Sequence, residues 1–227
     1  KKINLYFMSS KVFSTVLTVR KGSERVKNKN LKPFCNKSLL AYKIESLKKV
    51  KGIDEIIINT DSDEAIDMAK NYGVKFHKRD AYFASSKCPN NEFWAHIAKN
   101  TKTEYILFTH CTNPLIKEET YDSMIEFFLK EKKNYDSFNS VTEVKEFLLK
   151  DKKPLNFDLN KAPNSQNLPD VIKLNFAINI LSTKIMKEKQ SLIGYNPFFY
   201  KIDQTESFDI NTNHDFEIAE ILFKKLK

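Results

Sequence analysis

Between Arg20 and Asn30 the chain reads R-K-G-S-E-R-V-K-N-K-N. The basic side chains of Arg20, Arg25 and Lys29 surround a Gly22-Ser23 pair that suits a tight turn with exposed backbone N–H groups. Guanidinium and ammonium groups make charge-assisted hydrogen bonds to phosphate oxygens, and successive N–H groups make a concave anion site. These types at this spacing suit an anionic ligand such as a triphosphate. They also suit a solvated basic loop, because a Gly-Ser pair among basic residues is common. Position favours the ligand. The apolar run at residues 12–19 reads as a buried strand, so Gly22 follows a strand end and Arg20 sits at it, where α/β proteins place ligands.

Other polar clusters stand in the same relation to strands. Glu55-Ile-Ile-Ile-Asn59 reads as a short buried strand followed by Thr60-Asp61. A strand at residues 74–76 is followed by the cluster from Arg79 to Ser86, and one at residues 105–109 by the cluster from His110 to Pro114. In a doubly wound sheet such loops meet at one edge and form one cleft.

Helical patterns separate these strands. Leu39, Leu40, Ile44 and Leu47 share one face, and residues 118–130 carry Met124, Phe127 and Phe128 at helical spacing. Asp61, with Glu64 three residues on, has capping-box spacing and predicts an N-cap, with Gly73 as the C′ stop of that helix. Residues 93–98 read as a further helix. The alternation predicts an α/β fold: a Rossmann-like, doubly wound, mostly parallel sheet in three α/β/α layers. Beyond Ser137 the pattern loosens. A strand at residues 137–144 precedes a polar, irregular stretch, an extended segment at 171–181, a short helix at 182–189 and a final helix at 216–226. The expectation is one domain over residues 1–227, with a dimerisation or lid extension at about residues 138–175.

A chain of 227 residues with 41% hydrophobic content, 18 Phe and only 4 Gly can bury a substantial core. The net charge of +9 comes from lysines scattered over nearly every segment, a general bias and not one binding face, so no nucleic-acid partner is expected. Cys35, Cys88 and Cys111 form no C-x-x-C pair, which indicates neither a zinc site nor a disulfide framework. Reduced thiols, no run of membrane-spanning length and an apolar stretch at residues 3–8 too short for a secretory leader predict a cytoplasmic protein without a membrane partner.

The motifs match a known pattern. R-x-G-S-x-R-x-x-x-K-N after the first strand is present as Arg20, Gly22, Ser23, Arg25, Lys29 and Asn30. It is followed in order by Thr60-Asp61, Tyr72-Gly73, Arg79, Thr112-Asn-Pro-Leu115, Ser140-Val-Thr-Glu-Val144, Gln166-Asn-Leu-Pro169 and the stretch from Phe208 to Phe216. The chain resembles the acylneuraminate cytidylyltransferases, the CMP-sialic acid synthetase family, relatives of the CMP-Kdo synthetases.

That resemblance implies transfer of CMP from CTP to a hydroxyl of an acidic sugar, with release of pyrophosphate and with Mg2+, in a homodimer. Arg20, Gly22, Ser23, Arg25, Lys29 and Asn30 would hold the nucleotide, with Arg25 and Lys29 offsetting charge on the leaving pyrophosphate. Arg79 would contact the cytosine end, the alternative being a surface arginine paired with Asp80. Ser86 would line the nucleotide stretch where relatives carry Asp. Asp209 would bind the metal or help deprotonate the acceptor, the alternative being a helix cap. Asn211 would be its metal partner, at a position where many relatives have a second Asp, and Asp215 would be the cap. His110, Thr112 and Gln166 would meet the acceptor. Ile116 and Ser165 stand where relatives often have Arg. Two alternatives stay open: a different acid acceptor, or a catalytically impaired CTP-binding homologue.

Overall fold

A computed structural model describes residues 12–22 and 25–226. The apolar run after Val12 is β1 (Phe13–Val19). The short strands β2 (Pro33–Phe34) and β3 (Lys37–Ser38) lead into α1 (Leu39–Leu47). Then come β4 (Glu55–Thr60), α2 (Asp63–Asn71), β5 (Lys75–Lys78), α3 (Ala81–Ala84), α4 (Asn90–Lys99), β6 (Tyr105–Thr109) and α5 (Glu118–Glu131). The second half holds β7 (Ser137–Val144), β8 (Leu149–Lys150), β9 (Lys153–Pro154), a 3-10 turn at Ser165–Asn167, β10 (Val171–Ser182), α6 (Thr183–Lys189), β11 (Pro197–Lys201) and α7 (Asn213–Leu226).

Seven strands form one sheet in the order β11-β7-β10-β6-β1-β4-β5. β1 is parallel to β4 and β6, β4 to β5, and β7 to β11, whereas β10 is antiparallel to both β6 and β7. The sheet is therefore parallel except for β10. Alternate side chains serve opposite faces. Val16, Ile106 and Phe108 pack with Ile97 and Ala98 of α4 and Met186 of α6. Leu17, Val19 and Leu107 pack with α1, α5 and α7 through Leu40, Ile44, Met124, Phe128, Phe216 and Phe223. This is the expected three-layer α/β/α arrangement. The chain leaves β1 for β4 on one side and reaches β6 on the other, so the loops after β1 and β6 diverge at a switch point, where open sheets bind ligands.

Two local expectations need correction. The N-cap of α2 is Ser62, whose Oγ accepts from Ala65 N (3.4 Å). Asp61 instead turns its carboxylate to the β1 loop, accepting from Lys21 N (2.8 Å). The strand expected at residues 74–76 begins one residue later. Val74 N is used to close α2, donating to Ala69 O (2.9 Å), while Gly73 N donates to Lys70 O (3.0 Å) with Gly73 at φ 63°. This paired closure with a left-handed glycine is a Schellman stop.

β11 was not foreseen. It is an edge strand that begins on Pro197, where a missing N–H does no harm. In the proposed extension, residues 171–174 of β10 pair with residues 141–144 of β7, and the β8–β9 hairpin projects beyond them.

Candidate active site

The loops at the C-terminal ends of β1, β5 and β6 enclose a cavity of about 580 Å3. From the β1 loop come Thr18, Arg20, Arg25, Lys29 and Asn30; from the stretch after β5 come Arg79, Phe83, Ser85, Cys88 and Phe93. His110 and Thr112 enter from the loop after β6, Asn175 and Phe176 from β10, and Asp209 and Asn211 from the segment before α7. Gly22, Ser86 and Gln166 lie outside this lining, and Ser23 falls outside the described residues. Gly22 makes the turn at φ 75°, a left-handed conformation glycine takes without steric cost. Ser85 and Cys88 line the cavity where Ser86 was expected, and Gln166 is exposed on the 3-10 turn of the extension.

The β1 loop folds back on itself. Asn28 stands at φ 51°, its carbonyl takes the N–H groups of Leu31 and Lys32, and buried Val26 anchors the turn. Lys29 reaches across the cavity, its ammonium donating to Ile210 O. Burial lowers the Lys29 pKa, and the Asp209 carboxylate opposes that shift.

Arg79 is a buried arginine, and its acidic neighbour is Asp61, not Asp80. Its Nη2 donates to Val19 O (2.9 Å) and stands 3.7 Å from the Asp61 carboxylate. Its guanidinium lies over the Phe93 ring at 5.0 Å. Phe83 and Phe93 give this end of the cavity flat apolar walls. Both were missed in the sequence because aromatic residues at helical spacing read as core. His77 and His96, for which the sequence indicates no role, back this wall: His77 Nδ1 meets Asn59 Nδ2 (2.9 Å) and the His96 ring stacks on Phe83 (3.8 Å).

The loop after β6 holds the segment bearing Asp209. Ile210 N donates to Thr112 O (2.9 Å), and Asn113 Nδ2 donates to Ser207 O and Phe208 O (3.2 Å each). The cap of α7 is a reciprocal pair: Asp215 N donates to Thr212 Oγ1 (3.1 Å) and Thr212 N to Asp215 Oδ2 (2.8 Å). Asp209 takes no part in that cap. Its carboxylate accepts from Asn211 Nδ2 (2.8 Å) on the cavity wall. Among the described residues no group of three or more His, Cys, Asp or Glu side chains could hold a metal. His110 is half-buried and edge-on to Phe108, and burial pushes its pKa down against the opposing Asp209 carboxylate. Ile116 is buried in the core.

Behind the cavity lies Lys43, only 3% exposed. Its ammonium donates to Asn113 O (2.6 Å) and Tyr121 OH (3.0 Å), and Tyr121 OH meets Thr109 Oγ1 (2.9 Å). Burial drives its pKa down to about 8. The unfolded chain binds this proton up to about pH 10.5, so the unfolded state holds more protons between the two values and stability rises with pH there. Lys43→Met lacks this titration. The stability difference, Met variant minus wild type, is therefore expected to shrink by a few kcal/mol between about pH 8 and 10.5, since one pKa unit is about 1.4 kcal/mol. Urea unfolding across that range measures it; a difference independent of pH refutes the shift.

Comparison with known proteins agrees with this geometry. A family model described as cytidylyltransferase matches residues 15–169. The chain is 24% identical to a pseudaminic acid cytidylyltransferase of Campylobacter jejuni over 92% of this chain and 95% of that protein. It is 27% identical to an N-acylneuraminate cytidylyltransferase of Escherichia coli over 96% of this chain and 53% of that longer protein. The fold matches a solved CMP:2-keto-3-deoxy-manno-octonic acid synthetase complexed with CTP, with TM-score 0.69 and 12% identity, over 95% of this chain and all of that one.

Proposed function

The chain belongs to the cytidylyltransferase family, and from that premise we propose that it transfers CMP from CTP to a hydroxyl of an acidic, sialic-acid-like (nonulosonic) sugar. The acceptor oxygen bonds to the α-phosphorus of CTP, the bond from that phosphorus to the bridging oxygen breaks, and pyrophosphate leaves. Positioning and charge neutralisation dominate such a transfer. The observation that carries the reading is the convergence of Arg20, Arg25, Lys29 and Arg79 on one cavity with Asp209, the one carboxylate among its described lining residues.

In this reading Arg20, Arg25, Lys29 and Asn30, with the turn at Gly22 and Ser23, take the triphosphate, and Arg25 and Lys29 offset charge on the departing pyrophosphate. Arg79, Phe83 and Phe93 take the cytosine end. His110 and Thr112 meet the acceptor, and Asp209 is placed to accept its hydroxyl proton. Gln166, outside the lining of this cavity, would meet acceptor across a dimer. Asp209 and Asn211 stand side by side with the amide nitrogen of Asn211 on the Asp209 carboxylate; with that amide turned over, the carboxylate and amide oxygens would be a sparse hard-oxygen set for Mg2+, which keeps waters and shares substrate phosphates. When bound there, the ion would neutralise phosphate charge.

A homodimer and a cytoplasmic site complete the proposal. Leu149, Leu155 and Leu159 on the extension are 60–65% exposed, which supports their burial against a second copy. No helix among the described residues is long and apolar enough to cross a membrane.

The test is pyrophosphate release with each nucleoside triphosphate against a panel of nonulosonic acids, with and without Mg2+. Release that needs CTP, acid and metal together is expected. No release with any acid, or equal release with ATP and GTP, overturns the reading.

A further inference from the structure

The segment bearing Asp209 is held from inside the protein. The two carbonyls that precede Asp209 in the chain, Ser207 O and Phe208 O, both accept from Asn113 Nδ2 (3.2 Å each). Asn113 is 1% exposed, and its own carbonyl accepts from the Lys43 ammonium (2.6 Å). The same ammonium donates to Tyr121 OH (3.0 Å), which lies 2.9 Å from Thr109 Oγ1. The far end fixes the direction of this chain. Thr109 Oγ1 gives its hydrogen to Ala177 O (2.6 Å), so Tyr121 OH donates to Thr109. Thr109 ends β6, and Ala177 belongs to β10, beside Asn175 and Phe176 of the cavity wall, in the stretch where β10 bulges against β7. A continuous line of hydrogen bonds therefore runs from the sheet, through one ammonium, to the backbone just before Asp209.

Lysine is a costly residue for this junction. Both of its partners are neutral, and burial works against its charge. An apolar side chain could hold α1 here, as the fully buried Leu40, Ile44 and Leu47 do on the same helix. It could not donate in two directions. Tyr121 OH presents an oxygen whose hydrogen is already committed, and Asn113 presents a carbonyl, so each needs a donor. A long stem with several N–H groups at its tip serves both.

We propose that Lys43 is a positioning residue for the transfer step: it fixes Asn113 against the sheet and, through Asn113, the direction in which Asp209 is presented to the cavity. This rests on the reading of the chain as a CMP-transferring enzyme in which Asp209 takes the acceptor's proton. Lys43 and Asn113 lie outside the cavity lining, so in this reading neither touches a substrate. Their loss acts on the alignment of the reacting groups and spares nucleotide binding. A misplacement of about 1 Å caused far from the chemistry can cost about 100-fold in rate.

The experiment measures pyrophosphate release with CTP, Mg2+ and a nonulosonic acid in wild type, Lys43→Met, Asn113→Leu and the double variant, with kcat taken per folded molecule well below each melting temperature. Met fills the space of the lysine stem and removes both donors. Leu keeps the shape of the asparagine and removes Nδ2. Each single variant is expected to lower kcat about 10- to 100-fold, with KM for CTP within about two-fold. The double variant should lose no more than the worse single one, because both cut the same line. Should Lys43→Met fail to fold, Lys43→Gln, whose amide cannot reach both partners from a stem one atom shorter, is read in the same way. Unchanged kcat in the Lys43 variant, a loss that falls on KM for CTP instead, or losses that multiply in the double variant overturn the proposal while CMP transfer stands. Wild type that releases no pyrophosphate with any acid overturns both.

Discussion

Asp209→Asn is expected to lower kcat for pyrophosphate release at least about 100-fold, with a far smaller change in KM for CTP. Losing a positioned proton acceptor costs about 100- to 10,000-fold, and losing charge at the proposed magnesium position adds to that. The proposed triphosphate contacts are cavity residues of another loop, Arg20, Arg25 and Lys29, so ground-state binding of nucleotide is expected to be largely kept. Folding is kept too. Asp209 is exposed, and the helix cap beside it belongs to Thr212 and Asp215. An exposed substitution of this kind changes stability within about 0.5 kcal/mol. A variant with wild-type kcat would leave Asp209 without a catalytic role; a melting temperature that falls with the activity would make it structural.

Lys29→Met should lower kcat/KM for CTP about 100-fold. A hydrogen bond from a charged group contributes about 1.5–3 kcal/mol, and this ammonium also ties the β1 loop to Ile210 O beside Asp209. Arginine should not restore the activity, because a planar fork on a longer stem cannot replace a compact ammonium in a half-buried site. Burial lowers the Lys29 pKa, so the protonated form active in wild type is lost at lower pH than for an ordinary lysine. The alkaline limb of kcat/KM in wild type should sit below the usual lysine range and be absent in Lys29→Met. Kinetics from pH 7 to 10 decide this; an identical limb in both proteins assigns it to another group.

Much of this architecture is legible in the chain because strand and helix periods announce themselves. The run at β1, the buried β4 and β6 and the amphipathic α5 fall where alternation and helical spacing put them. The cationic loop is equally legible, since its function needs charge and a turn in consecutive residues. What escaped depends on packing across distance. Phe83 and Phe93 read as core, and whether an aromatic residue faces core or cavity is set by how α3 and α4 sit over β5. Asn175 and Phe176 become wall residues only because β10 bulges, and no local signal marks that irregularity. Lys43 looks like one more surface lysine until α1 packs against α5. Asp61 has capping-box spacing to Glu64, but the next residue, Ser62, caps the helix with its own hydroxyl and leaves Asp61 to the β1 loop. Ile116, at a place where relatives often carry a charge, is in the core and cannot meet the acceptor.

The rim of the sheet is cross-stitched. Asp61 at the end of β4 holds the backbone of Lys21 and faces Arg79, and Arg79 beyond β5 holds the last carbonyl of β1. Three neighbouring strand ends are thus fastened to one another before any nucleotide arrives. The conformational entropy of aligning these two cationic loops is lost during folding and not during association, so the anion meets a receptor already shaped for it.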